Sequence, residues 1–210
     1  MIKVLVADDH AVVRRGLVQI LNEAPDMTVT DEACTGREVL RLLRESNPDA
    51  LVLDIAMPEG GGLEVLQQLQ TLKPDLPVLV LSVYSERQYA IRALKAGATG
   101  YLTKESAPEE LITAIRRVAR GERYVTKSLG AELAAALEGK AEGELHEALS
   151  DREYQVMCLL ATGKTVTEAA ADLSLSVKTV STYRGRILKK LNLETTSEII
   201  RYALERRLVE

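Results

Sequence analysis

The sequence is poor in cysteine and has no long apolar run. Its two cysteines, Cys34 and Cys158, do not show the spacing of a metal site. We expect both to be reduced and buried, as is usual for cysteines in the cytosol. No apolar run approaches the roughly 18 residues that cross a bilayer, and no signal-peptide pattern precedes the first predicted strand. We therefore expect a cytoplasmic protein with no membrane partner.

Acidic residues are missing from one short stretch near the end of the chain. Residues 178–190 contain five basic side chains and no acid. They lie within residues 149–210, which contain 10 Lys and Arg and 8 Asp and Glu and so carry a net charge of +2. The whole chain carries −4, so residues 1–148 carry −6. A solvated helix face usually mixes both signs of charge, so the stretch indicates a surface that binds a polyanion.

Apolar periodicity divides the chain into an α/β part and a helical part. In residues 1–121, five short apolar runs alternate with five helical patterns, which predicts a five-stranded, doubly wound parallel sheet. Residues 122–148 are polar and contain glycines, so we expect a linker with a short helix over 131–137. Residues 149–210 predict a small all-α domain of four helices. The first begins with a capping box of Ser150 and Glu153, and the third runs from Ser176 to about Leu191.

Polar side chains stand where four of the predicted strands end. Asp8 and Asp9 follow the first strand, Asp54 ends the third, Ser82 ends the fourth and Lys104 follows the fifth. Carboxyl ends of parallel strands meet at one edge of a sheet, so these groups should converge. Each residue alone could be a cap, a turn or a surface charge. Their joint occurrence predicts a site for a divalent cation and a phosphoryl group.

The residue types suggest a role for each member of this site. A carboxylate can attack phosphorus when a cation offsets the charge on the oxygens, so we predict Asp54 as the phosphoacceptor. Lys104 and Ser82 would bind phosphoryl oxygens. Mg²⁺ prefers oxygen ligands and tolerates waters. The predicted Mg²⁺ ligands are Asp8, Asp9, Asp54 and the backbone carbonyl of Ala56.

The third helix of the C-terminal part has an apolar and a polar side. At 100° per residue, Val180, Tyr183, Ile187 and Leu191 fall on one side. The helix follows a shorter one after a turn at residues 174–176, which are the proportions of a helix-turn-helix. Such a helix can lie in the major groove of DNA, with cations on the phosphates; the alternative is a surface helix of a small bundle. The candidate DNA contacts are Lys178, Ser181, Thr182, Arg184, Gly185, Arg186, Lys189 and Lys190.

The motifs resemble two known domains. The strings VLVADDH ending at His10, LVLDIAMP ending at Pro58, VLS ending at Ser82 and GYLTK ending at Lys104 resemble the receiver domain of two-component response regulators, which has a flavodoxin-like fold. Residues 149–153 and 176–191 resemble the LuxR-type DNA-binding domain. The combination is similar to the NarL/FixJ class of two-component response regulators.

The resemblance implies a transcription regulator controlled by phosphorylation, with no enzymatic activity beyond the phosphorylation and dephosphorylation of its own Asp54. It implies that a sensor histidine kinase supplies the phosphoryl group, and that Ser82 and Tyr101 reorient as a switch. Tyr84 would tune the lifetime of the aspartyl phosphate. Ser181, Thr182 and Gly185 would approach bases, although Gly185 departs from the side-chain-bearing residue usual there.

The expected partners are a sensor histidine kinase, promoter double-stranded DNA, RNA polymerase and a second copy of the chain. The last predicted helix carries an apolar stripe that would either form the dimer surface or close the small core. The stripe consists of Ile199, Ile200, Ala203 and Leu204.

Two other classes of protein stay open on the sequence. The first is a Mg²⁺-dependent phosphatase working through an aspartyl intermediate, which would need a second acid two residues after Asp54, where Ala56 stands. The second is an interaction protein whose receiver is regulated by a partner without phosphorylation.

Overall fold

The protein is described by a computed structural model that covers residues 1–57, 61–83, 86–126, 130, 145–206 and 208–209. The chain separates into two compact units, Met1–Leu133 and Ala134–Glu210. Three sequence-based expectations fall outside the described residues: Pro58 in the third receiver-like string, the role of Tyr84, and the short linker helix over 131–137. The predicted domain boundaries at residues 121 and 149 stay predictions.

A five-stranded parallel sheet forms the centre of the first unit. The strands are β1 (Ile2–Ala7), β2 (Met27–Ala33), β3 (Ala50–Asp54), β4 (Val78–Ser82) and β5 (Gly100–Thr103). Their order in the sheet is β2-β1-β3-β4-β5, with every described pair parallel. All residues of β3 and β4 are buried, which explains why these strands read as continuous Val and Leu runs without alternation.

Helices cover both faces of this sheet. They are α1 (Ala11–Glu23), α2 (Gly36–Glu45), α3 (Gly62–Leu72), α4 (Glu86–Lys95) and α5 (Pro108–Val118). Leu17 and Leu21 of α1 share one core cluster with Leu111 and Ile115 of α5, which places these helices on the same face. The α2, α3 and α4 helices contact one another in sequence order along the other face. The predicted doubly wound parallel sheet is confirmed.

The chain continues along the sheet edge after α5. The backbone N–H of Tyr124 donates to the carbonyl of Thr99, and that of Tyr101 donates to the carbonyl of Tyr124. This backbone pairing gives β5 a short neighbour on its outer side, which satisfies polar groups of a strand that would otherwise form an open edge.

The second unit contains a 3-10 helix (Leu145–Ala148) and four α-helices among its described residues. These are α6 (Asp151–Ala161), α7 (Val166–Asp172), α8 (Val177–Leu191) and α9 (Thr196–Glu205). Three of them begin with a capping box, including the predicted pair of Ser150 and Glu153. Ser176 caps α8, where its hydroxyl accepts a hydrogen bond from the amide of Thr179. The predicted all-α domain with a helix-turn-helix is confirmed, with α8 as its second helix.

One expectation about side chains is corrected by the structure, and the role of the apolar stripe on the last helix is decided for part of its length. Cys34 is exposed, because β2 is an edge strand and Cys34 lies in the loop that follows it, whereas Cys158 is buried as expected. On α9, Ile199 and Ala203 are fully buried in the core of the second unit, and Leu204 is half exposed. The apolar stripe therefore closes the core over part of its length and presents Leu204 outward. Among the described residues, no helix is both long and apolar enough to cross a membrane.

Candidate functional site

The carboxyl edge of the sheet brings the predicted phosphoryl-site residues together. Asp8 follows β1, Asp54 ends β3 and Ser82 ends β4, and all three are at most 1% exposed. Lys104 follows β5 and reaches back across the edge: its Nζ lies 2.8 Å from Asp54 Oδ2 and 2.6 Å from Asp8 Oδ2. Its backbone N–H also donates to the carbonyl of Ser82 at 2.7 Å. Residues up to 96 positions apart in the chain thus surround one small volume.

The electrostatics of this volume are set by burial and by mutual pairing. Burial raises the pKa of the Asp54 carboxyl, and the nearby ammonium of Lys104 and the amide of Ala56 offset only part of that rise. Burial would lower the pKa of Lys104, but the charges of Asp54 and Asp8 outweigh it, so its pKa lies above the ordinary value. Lys104 is therefore held as a cation beside a carboxylate whose charge is costly to bury.

The acidic group suits a hard divalent cation. One ligand atom from each of Asp8, Asp9, His10 and Asp54 lies within 4.8 Å of the others. Asp8 Oδ2 and Asp9 Oδ1 are buried and accept no aligned hydrogen bond from the described residues. Each lies instead beside a basic nitrogen, Asp8 Oδ2 at 2.6 Å from Lys104 Nζ and Asp9 Oδ1 at 2.7 Å from His10 Nδ1. Converging carboxylate oxygens whose negative charge is incompletely offset are the donor set that Mg²⁺ uses.

The remaining predicted members of the site are placed as follows. Ala56 lies in the turn after β3, where its N–H donates to Asp54 Oδ1 at 3.1 Å. The side chain of Tyr101 is fully buried, and its backbone in β5 pairs with Val80 of β4. The roles of these residues as metal ligand and switch stay predictions.

Sequence reasoning missed three residues that shape this site. His10 stands in the sequence as part of a motif with no role of its own, yet it contacts the carboxylate of Asp9. Arg14 of α1 donates from Nη1 to the carbonyl of Asp8 at 2.7 Å, which fixes the loop after β1. A Cβ on Gly62 would lie 2.3 Å from the carbonyl oxygen of Asp54, so only glycine lets α3 start against the end of β3. For Gly62, the run of three glycines at positions 60–62 was the sequence signal that could have indicated this close contact.

The α8 helix of the second unit has the predicted division into two faces. Val180, Ile187 and Leu191 are buried, and Tyr183 is partly buried. The exposed residues among the predicted DNA contacts are Lys178, Ser181, Thr182, Gly185, Arg186, Lys189 and Lys190. The outward face is thus polar and basic, as a surface for phosphates and base edges requires.

Arg184 and Lys190 of α8 make polar contacts with other elements of the second unit. Arg184 is partly buried and donates from Nε to the hydroxyl of Thr196 at 2.7 Å, which joins α8 to the start of α9. Lys190 Nζ lies 2.7 Å from Oε2 of Glu153, a carboxylate that is 3% exposed, and 3.0 Å from the carbonyl of Ala148. Burial would raise the pKa of Glu153, but the bonds from Lys190 and Ser150 outweigh it and lower that pKa. DNA contact by Arg184 and Lys190 stays a prediction, and both have a structural role without it.

Comparison with known proteins finds a matching family for each of the two units. Residues 4–116 match the family described as response regulator receiver domain, and residues 147–203 match bacterial regulatory proteins of the luxR family. The chain is 37% identical over 211 residues to the response regulator GacA of Pseudomonas aeruginosa, covering 100% of this chain and 99% of that protein. It is 38% identical over 216 residues to the oxygen regulatory protein NreC of Staphylococcus epidermidis, covering 99% of each.

A solved structure is similar over most of the chain. RcsB from Salmonella enterica serovar Typhimurium, bound to promoter rprA in the presence of the phosphomimetic BeF3−, matches with a TM-score of 0.64 at 26% identity. The match covers 96% of this chain and 98% of that one. The chain therefore belongs to the NarL/FixJ class of response regulators, which join a receiver domain to a LuxR-type DNA-binding domain.

Proposed function

We propose that this response regulator accepts a phosphoryl group on Asp54 from the phosphohistidine of a sensor kinase, and then binds promoter DNA through α8 as a dimer. The observation that carries the proposal is the contact of Lys104 Nζ with both Asp54 and Asp8 at the carboxyl edge of the sheet. It places a fixed positive charge beside the carboxylate that is to become phosphorylated.

The transfer is a direct displacement at phosphorus. One carboxylate oxygen of Asp54 forms the new O–P bond while the N–P bond of the phosphohistidine breaks, and the ring nitrogen keeps the electron pair. Lys104 would hold one phosphoryl oxygen as a point charge, and the hydroxyl of Ser82 would donate to another. Asp8, Asp9, Asp54 and the carbonyl of Ala56 would hold Mg²⁺, which when bound offsets the negative charge of the phosphoryl oxygens.

Phosphorylation of Asp54 can be tested without the partner kinase. The protein is incubated with acetyl phosphate and Mg²⁺, and its intact mass is measured. We expect a gain of one phosphoryl group in the wild type and none in Asp54→Ala. Asp75→Ala, which changes an exposed aspartate in the turn before β4, should be modified like the wild type. Modification of Asp54→Ala to the same extent would contradict the assignment, and turnover of a generic phosphate ester would favour the phosphatase class.

DNA binding through α8 is supported by its exposed basic face and by the RcsB structure, in which a similar chain is bound to promoter DNA. Selection of bound fragments from random duplex DNA would identify the sequence read. We expect two half-sites about one helical turn apart, because a symmetric dimer reads paired sites. A selected sequence with a single unpaired half-site would count against the dimer.

The dimer, the contact with RNA polymerase and the cytoplasmic location belong to this proposal. The half-exposed Leu204 on α9 supports a dimer surface on the second unit. Sedimentation of the protein before and after acetyl phosphate treatment would test it. We expect the fraction of dimer to rise on phosphorylation, and Leu204→Glu to prevent that rise.

A further inference from the structure

Gly185 lies in the middle of the exposed face of α8, and the described residues give no structural reason for a glycine there. A Cβ built on Gly185 meets no heavy atom of the described chain within 4 Å. Its backbone is helical, so it does not need the left-handed conformation that favours glycine elsewhere in this chain. Neither close packing nor backbone strain therefore accounts for glycine at this position.

Glycine at this position also disfavours the helix. It is the least favourable residue for a helix interior after proline, because it loses the most backbone entropy and exposes the backbone to water. Gly62 shows the contrasting case, since there an added Cβ would collide with the backbone of Asp54. A helix-destabilising residue that packs against no other described residue, on the face that binds DNA in the proposed function, points to a constraint imposed by the DNA.

The surroundings of Gly185 fit a close approach of DNA to the helix backbone. One turn earlier, the same face carries the short side chains of Ser181 and Thr182, both exposed. One turn later, Lys189 stands exposed, and Lys178 lies near the start of the helix. The cations on either side of these small residues can bind phosphates while the centre of the helix enters the groove.

We propose that Gly185 sets how closely α8 enters the DNA, so that any side chain at this position would hold the helix away from the groove. This inference rests on the proposed function, because it assumes that α8 is the helix that binds DNA. Gly185 would then contribute through the space that it leaves and through the helix backbone that it exposes. Base recognition would come from the flanking Ser181 and Thr182 and from DNA shape.

The test is Gly185→Ala in the full-length protein, with two measurements. The probes are a duplex selected from random DNA by the wild type and a duplex of unrelated sequence. We expect the melting temperature of the second unit to rise by about 4–8 °C, because alanine favours the helix. We expect the affinity for the selected duplex to fall about tenfold, as for one excess methyl group in a packed contact. A higher melting temperature together with a lower affinity for DNA would distinguish this role from a structural one.

The chain offers a matched control in Gly16 of α1. It is also a helix-interior glycine, its added Cβ would meet no heavy atom of the described residues within 4 Å, and it lies in the receiver unit. Gly16→Ala should raise stability and leave the affinity for DNA unchanged. Gly185→Ala binding as tightly as the wild type, or more tightly, would overturn the inference while leaving the proposed function in place. Absence of duplex binding by the wild type would instead overturn the proposed function.

Discussion

Lys189 and Lys190 are neighbours on α8, and both are exposed, yet the structure predicts that their removal affects different properties of the protein. Lys190 Nζ contacts the buried carboxylate of Glu153 and the carbonyl of Ala148. No ion pair within the described residues involves Lys189. We therefore expect Lys190→Gln to weaken the fold and Lys189→Gln to weaken DNA binding.

The magnitude for Lys190 follows from the burial of its partner. Removing one member of a buried ion pair costs about 3–5 kcal/mol, because the other charge is left unpaired. Here the Glu153 side chain is 3% exposed but that of Lys190 is 40% exposed, and Glu153 keeps the hydrogen bond from the Ser150 amide. Solvent screening reduces the expected cost to about 2 kcal/mol. For a domain of this size, that lowers the melting temperature by roughly 8–16 °C.

The assay combines thermal unfolding with DNA binding at several salt concentrations. The logarithm of the affinity falls with the logarithm of the salt concentration, by about 0.9 for each phosphate contact. Lys189→Gln should reduce that slope by about one contact for each subunit bound and leave the melting temperature unchanged. Lys190→Gln should lower the melting temperature and, below it, keep the wild-type slope. The double variant with Glu153→Gln should recover part of the lost stability, because no buried charge remains unpaired.

A reduced salt slope for Lys190→Gln, with an unchanged melting temperature, would refute this reasoning. It would mean that the ammonium leaves Glu153 to bind a phosphate and that the internal pair contributes little to the fold. Equal losses of stability for Lys189→Gln and Lys190→Gln would refute it as well, since only one of the two contacts a buried acid.

Three further predictions concern the two units separately. Asp54→Asn should stabilise the receiver at neutral pH, because burial raises the pKa of Asp54 above its unfolded value and ionisation then opposes folding. The gain should vanish below about pH 3.8, and Mg²⁺ should raise the urea midpoint of the wild type more than that of the variant. The pKa of Glu153 is lowered, so its ionised form stabilises the fold at pH values above the ordinary pKa of 4.5, and this stabilisation is lost as the pH falls through the folded pKa. The free energy of unfolding of Glu153→Gln, measured with urea, should therefore fall less at acid pH than that of the wild type. Gly62→Ala should cost about 1–3 kcal/mol or more, since its Cβ would meet the Asp54 carbonyl at 2.3 Å, and an unchanged urea midpoint would show that α3 can shift without cost.

The local parts of this structure could be predicted from the sequence. Buried parallel strands need continuous apolar runs, and helices need capping residues, so β3, the capping box at Ser150 and the bounds of α8 could be read directly. The convergence of Asp8, Asp54 and Lys104 was also accessible, because parallel topology places every strand's carboxyl end at one edge. The sequence by itself thus determined the fold class and the chemistry of the carboxyl edge.

The pairing of individual side chains was decided only by the tertiary structure. Lys190 looked like one of several DNA-facing cations until folding brought it to Glu153, 37 positions earlier in the chain. Similarly, Arg14 fixes the Asp8 carbonyl and Ile199 closes a core, which helical periodicity could not distinguish from an outward role. A helix pattern gives the direction of a side chain on its own helix, but not which group of another element lies there. Packing supplies that group, and with it the choice between a surface charge and a buried ion pair.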